Sequence, residues 1–184
     1  MRIIAGTLKG RRLDAPTWTG LRPTSDKLRE TLFNVLAPRI AGARVLDLFA
    51  GTGALGIEAM SRGAASVTFV ESHPRAARLI DANLSRCGIR EGCAIIRASA
   101  HRAVESLISS SSSFVPFDII LLDPPYDHAP LEALRGVDTL LASDGVAVLE
   151  HARRTESPAA SGRLELTRVL TSGDSALSFY SCQL

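Results

Sequence analysis

The chain has 184 residues, 46% hydrophobic and 22% charged. That size and balance fit one α/β domain with a small appendage, able to fold without a disulfide or a metal. Three cysteines, Cys87, Cys93 and Cys182, form no C-x-x-C pair, which argues against a disulfide framework and a zinc site. Residues 1–10 hold no apolar run of signal-peptide length, and no stretch nears the ~20 apolar residues of a membrane span, so a soluble, cytoplasmic protein is expected. Net charge is only +2, but residues 1–44 carry nine Lys/Arg against Asp14, Asp26 and Glu30. A basic arm on a mildly acidic body points to a polyanion held at one end.

In chain order, residues 1–23 place Gly6, Gly10, Pro16, Gly20 and Pro23 between short apolar pieces, the pattern of an extended or hairpin-forming arm. Thr24 or Ser25 can cap a helix whose Leu28, Leu32, Phe33 and Leu36 share one face, with Pro38 as its stop. From Arg44 short apolar strands alternate with helices. The expected strands are 45–49, 67–71, 94–97, 117–122 and 145–150; the expected helices are 54–62, 74–86, 101–108 and 131–141. Ser109 to Ser113 form a serine run, read as a surface loop. Residues 153–162 are read as a polar loop. Segments 163–170 and 176–182 close the chain as a hairpin around Ser172-Gly173-Asp174. This alternation predicts a mostly parallel sheet covered on both faces, with ligands at the carboxyl ends of its strands.

Two clusters stand at such ends. After the first strand, Gly51, Gly53 and Gly56 of Asp47-Leu48-Phe49-Ala50-Gly51-Thr52-Gly53-Ala54-Leu55-Gly56 fit G-x-G-x-x-G, and Glu71 follows Gly51 by 20 residues, placed to hold ribose hydroxyls. These features suit an adenosine-type cofactor. Asp47 inside the turn would sit badly beside a pyrophosphate and suits a cofactor carrying an amino acid and a sulfonium, S-adenosylmethionine (SAM). After the fourth strand comes Asp123-Pro124-Pro125-Tyr126. Asp123 and the Pro124 carbonyl can grip the two hydrogens of a planar amine, whose lone pair is otherwise delocalised. Tyr126 can stack an unstacked base, worth roughly 1–3 kcal/mol. The attacked nitrogen becomes positive in the transition state, so an acceptor-rich pocket stabilises it preferentially. His73, His101, His128 and His151 show no metal-ligand spacing, and none is assigned catalysis; His128 and His151, after strand ends, could face the base pocket.

With these motifs the chain resembles the class I SAM-dependent methyltransferases with a D/N-P-P-Y motif, and more closely the RsmD-type bacterial 16S rRNA (guanine-N2)-methyltransferases. The resemblance also rests on Ile3-Ile4-Ala5-Gly6 with Gly10-Arg11, Arg22-Pro23-Thr24, Arg29 through Asn34, and the tail from Gly173 to Tyr180. It implies a Rossmann-like, seven-stranded, mostly parallel sheet with a C-terminal antiparallel hairpin. It divides the chain into an RNA-contacting arm and helix, 1–41, and a methyltransferase domain, 42–184. It implies SAM at Asp47, Gly51, Thr52, Gly53 and Glu71, the target base at Asp123, Pro124 and Tyr126, and RNA contacts from Arg2, Arg11, Arg22 and Arg29. The expected partner is 16S rRNA or a partly assembled small subunit, met by a monomer. Many relatives carry an acid after the third strand where Ser99 stands here. Methyl transfer to DNA adenine or to a protein glutamine amide remains an alternative on the second motif alone, and an NAD-dependent oxidoreductase on the first.

Overall fold

A computed structural model describes residues 1–16, 25–109, 115–125 and 127–183. The expected roles of Arg22 and Tyr126, the Thr24 cap and most of the serine run fall outside them. Within residues 1–16 the arm is a hairpin: Ile3 N donates to Arg11 O at 2.9 Å and Leu13 N to Met1 O at 3.0 Å. Helix α1 (Asp26–Ile40) starts at Ser25, whose hydroxyl accepts from Leu28 N at 3.2 Å. It buries Leu28, Leu32, Phe33 and Leu36 as the spacing predicts. Pro38 does not stop it: the helix runs on to Ile40. The proline's missing N–H removes one i→i−4 hydrogen bond, and the helix ends two residues later.

The alternating elements follow as β1 (Arg44–Asp47), α2 (Ala54–Ser61), β2 (Ser66–Val70), α3 (Pro74–Cys87), β3 (Cys93–Ile96), α4 (Ala100–Ser109) and β4 (Phe117–Leu122). The helix expected over 131–141 is shorter. Here α5 (Pro130–Leu134) ends where Arg135 takes ψ 121°, and a 3-10 turn (Val137–Thr139) leads into β5 (Leu141–Ala152), which begins earlier than expected. The polar loop over 153–162 contains a two-residue strand, β6 (Ala160–Ser161), and β7 (Leu164–Ser172) and β8 (Ser175–Cys182) form the final hairpin. The sheet therefore has eight strands where seven were expected, in the order β3-β2-β1-β4-β5-β8-β7-β6. Strands β1 to β5 are parallel, and β8 runs antiparallel to β5.

The sheet separates two apolar layers. One joins Val45, Leu121 and Val148 to the arm (Ile3, Leu13) and to α1, α2 and α3; the other joins Leu46, Ile120, Leu122 and Leu149 to α4 and α5. Each fully buried large apolar side chain contributes roughly 1.5–3 kcal/mol. The arm thus shares a core with the sheet. It is also held by polar contacts: Glu58, fully buried on α2, accepts Ile4 N at 2.8 Å and Ala5 N at 3.0 Å, while Arg62 Nε pairs with it at 2.8 Å. Gly6 packs so close that a Cβ there would lie 1.8 Å from Ser61 O. Strand order reverses between β1 and β4, and a crevice opens at their carboxyl ends, where ligands bind in such sheets.

Candidate active site

The crevice is a cleft of about 1150 Å³. One wall is the turn between β1 and α2, with Gly51, Thr52 and Leu55; Glu71 and Ser99 stand beside it, and Asp123 with Pro124 faces it from the end of β4. Met1, Pro16, Ser25 and Lys27 bring the arm and α1 to its rim, and the β7–β8 turn reaches it from the other side. One space therefore joins the two motifs.

The turn is built by its glycines. Gly51 and Gly53 take φ 54° and 79°, the left-handed region that other residues enter at a cost. Gly56 lets α2 lie against β2, since a Cβ there would fall 2.2 Å from Phe69 Cε1. Gly51 N donates to Glu71 Oε2 at 2.8 Å and His73 N to Glu71 Oε1 at 2.7 Å. Each oxygen keeps a second lone pair, and Glu71 lines the cleft, so both oxygens can accept from a ligand's hydroxyls.

Asp47 plays a different part from the one expected. It is not on the cleft wall but 1% exposed beneath it, and its Oδ2 accepts from Gly56 N at 3.0 Å in the first turn of α2. Oδ1 has no hydrogen-bond partner among the described residues. Burial pushes its carboxyl up to about 7; the Gly56 N–H pulls the other way, and the charges of Asp123 and Glu71 add to the rise. A helix N-terminus is the place where a dinucleotide's pyrophosphate would sit, and here a carboxylate already takes a donor of that turn. The cleft residues of the turn itself and of 70–73 include no Lys or Arg; Lys27 and Arg135 line the cleft elsewhere. The donor set fits SAM and disfavours NAD. Gly53 likewise shapes the turn from outside the cleft wall.

Ser99 lines the cleft, exposed, and its Oγ accepts from Arg102 N at 3.4 Å, so it opens α4 as well as standing where an adenine contact is expected. Asp123 is half-buried and Pro124 buried. Of the arginines assigned to RNA, Arg2 and Arg11 are exposed on the arm hairpin, Arg11 Nη1 donating to Arg86 O at 3.2 Å. Arg29 is a correction. Its side chain is fully buried, and Nη2 donates to Arg2 O at 2.8 Å and pairs with Asp26 at 2.7 Å, so it braces the arm from within. His151 does not line this cleft: it is buried, with Nδ1 3.0 Å from Ala152 O and Nε2 2.8 Å from Ser178 Oγ, and borders a small adjoining cavity with Pro124, Pro125 and His128. His128 does reach the cleft, edge-on to Phe49 with ring centroids 5.6 Å apart. Phe49 and Glu150, at the end of β5, line the cleft too and were not singled out in the sequence. A lone acid closing the apolar run Val146 to Leu149 was the available signal for Glu150.

A sheet of this order with a reversed strand β8, a glycine turn after β1 and Asp-Pro-Pro after β4 defines a class I methyltransferase fold. The match to the model described as "Conserved hypothetical protein 95" spans residues 1–181. The chain belongs to that family, the RsmD-type ribosomal RNA methyltransferases. Bacillus subtilis (strain 168) YlbH is 39% identical over 183 residues, covering 98% of each chain. The Escherichia coli (strain K12) "Ribosomal RNA small subunit methyltransferase D" is 42% identical over 134 residues, 72% of this chain and 63% of that protein. The solved structure of Escherichia coli yhhF superposes with TM-score 0.82 at 34% identity, covering 100% of this chain and 99% of that one.

Proposed function

We propose that the chain transfers a methyl group from SAM to the exocyclic N2 amine of a guanine in 16S ribosomal RNA, in the bacterial cytoplasm and as a monomer. The observation that carries this is the cleft that joins the Gly51–Glu71 turn to Asp123 and Pro124 and is bordered by the arm at Met1 and Pro16. SAM, when bound, supplies a methyl group already activated on a sulfonium. Gly51, Thr52, Glu71 and Ser99 hold it; Asp47 fixes the turn from below by holding the amino end of α2.

Asp123 and the Pro124 carbonyl accept the two amine hydrogens and favour a pyramidal nitrogen whose lone pair can attack. They also stabilise the positive charge that grows on that nitrogen, and Asp123 lies where the shed proton can go. Tyr126 stacks the base, with Phe49 and His128 as further aromatic walls. Residues 1–41 are the RNA-contacting element, with Arg2, Arg11 and Arg22 on phosphates. With so small an arm, the shape of a partly assembled small subunit supplies much of the selectivity.

The test is methyl-labelled SAM with three acceptors: naked small-subunit rRNA, small subunits lacking the modification, and DNA. N2-methylguanosine from a ribosomal acceptor is expected; label in DNA adenine instead overturns the substrate. Asp123→Ala should keep SAM affinity while transfer falls roughly 10²–10⁴-fold, the scale for one lost transition-state partner. Near-full turnover by that variant would refute the assignment.

A further inference from the structure

Strand register places a second carboxylate beside Asp123. Asp47 on β1 pairs with Leu121 on β4, and Leu121 with Val148 on β5. Two residues past Val148, on the same face of β5, comes Glu150, and Asp123 directly follows Leu122, the last residue of β4. The last paired rung, Leu122 with Leu149, makes them lateral neighbours. Val148 belongs to the apolar layer shared with the arm and α1, so Glu150 faces the side of the sheet on which the arm lies. Glu150 is 6% exposed and lines the same cleft as Asp123 and Pro124.

We propose that Glu150 selects the base by accepting the ring N–H next to the target amine. This rests on the reading of the cleft as a guanine-N2 methyltransferase site. Three RNA bases carry an exocyclic amine. Guanine sets N1–H, a donor, beside its N2 amine; adenine and cytosine set a ring nitrogen lone pair beside theirs. With the amine hydrogens held by Asp123 and the Pro124 carbonyl, the adjacent ring atom meets the neighbouring acceptor, Glu150. Guanine then gains a charge-assisted hydrogen bond, whereas adenine or cytosine would press a lone pair against a buried carboxylate. Asp123 holds the amine common to all three bases, and Glu150 tells guanine from the other two.

2-Aminopurine keeps the C2 amine but has a lone pair at N1; it also lacks O6, so the Glu150 variant is what assigns a difference between the two bases to N1. Small-subunit RNA would be assembled with either guanine or 2-aminopurine at the mapped target, and methyl transfer measured for the wild type and Glu150→Gln. The wild type should prefer guanine by roughly 10²-fold or more, the scale on which a site built for an N–H rejects an analogue without it. Glu150→Gln, whose amide can also donate, should lose guanine activity and bring the two rates within about tenfold, with SAM affinity unchanged as proof of folding. Equal wild-type rates on both bases overturn the proposal without need of the variant. So does a Glu150→Gln enzyme whose preference is unaltered. A wild type that binds SAM but methylates no guanine in RNA overturns the function and this inference together.

Discussion

The buried carboxylate under the cofactor turn makes a prediction about pH that requires no substrate. Asp47 titrates near 7 in the folded chain against an ordinary value of 3.8, chiefly because burial penalises its charge. Between those values the folded chain keeps a proton that the unfolded chain has released. Stability therefore falls as pH rises from about 4 towards 7 and levels off above it. Asp47→Asn removes the titration while its amide oxygen can still accept from Gly56 N. Each pH unit of the window is worth about 1.4 kcal/mol, so the roughly two units between pH 5 and the folded value amount to about 3 kcal/mol. Relative to the wild type, the variant should gain about that much on moving from pH 5 to pH 8. The new amide N–H₂ adds a cost of its own, but one independent of pH, and it cancels in the difference. Urea unfolding of both proteins without cofactor, at the two pH values, gives the quantity directly. Parallel profiles would show that Asp47 does not titrate in this window and would refute the rise that burial imposes on it.

Gly56→Ala would drive a methyl group into Phe69 and Val67, where Cβ distances of 2.2 Å and 2.8 Å leave no room. A loss of about 1–3 kcal/mol, seen as a lower melting temperature together with weaker SAM binding, is expected. Asn83, fully buried on α3, accepts Asp14 N at 2.7 Å and donates to Asp14 O at 3.2 Å and Thr52 O at 3.0 Å. Asn83→Ala should cost about 3 kcal/mol, near one per hydrogen bond, and expose the arm to limited proteolysis; an unchanged urea midpoint would remove it from that link. Arg11→Ala should weaken RNA binding and reduce the salt slope by about one, with SAM affinity unaltered. An unchanged slope would take Arg11 off the phosphate surface.

The parallel half of the sheet was legible because its strands are apolar on both faces: 117–122 was read with the bounds that β4 has. The region after the second motif was not. Leu140 and Leu141 fit a helix as well as a strand, and periodicity cannot decide such a short run, so the early start of β5 was missed. Charge misled at Arg29, since a formal charge carries no information on burial; Asp26 three residues earlier was the only hint of its partner. At Asp47 the residue was picked out for the right incompatibility, a carboxylate where a pyrophosphate would lie, but its position required the structure. It excludes phosphate by occupying a donor of α2, not by touching the ligand. Glu58 and Glu150 were both visible as single acids inside apolar runs, and both turned out to be buried.

Glu58, Ser61, Asn83 and Asp47 together tie the arm to the cofactor turn. The arm meets the body through side chains on the two helices that frame the cofactor turn. Ile4 and Ala5 dock on Glu58, and Leu8 N donates to Ser61 Oγ at 3.0 Å, both on α2. Asp14 docks on Asn83 of α3, which also holds the carbonyl of Thr52 in the turn itself. Asp47 fixes the other end of α2 to β1. Any displacement of the arm must therefore strain α2 or the turn. These polar links run mostly through the arm's backbone, and the side chains of Arg2 and Arg11 stay exposed. On the proposed function, an RNA held by those side chains would sit in a fixed relation to the cleft that holds Asp123.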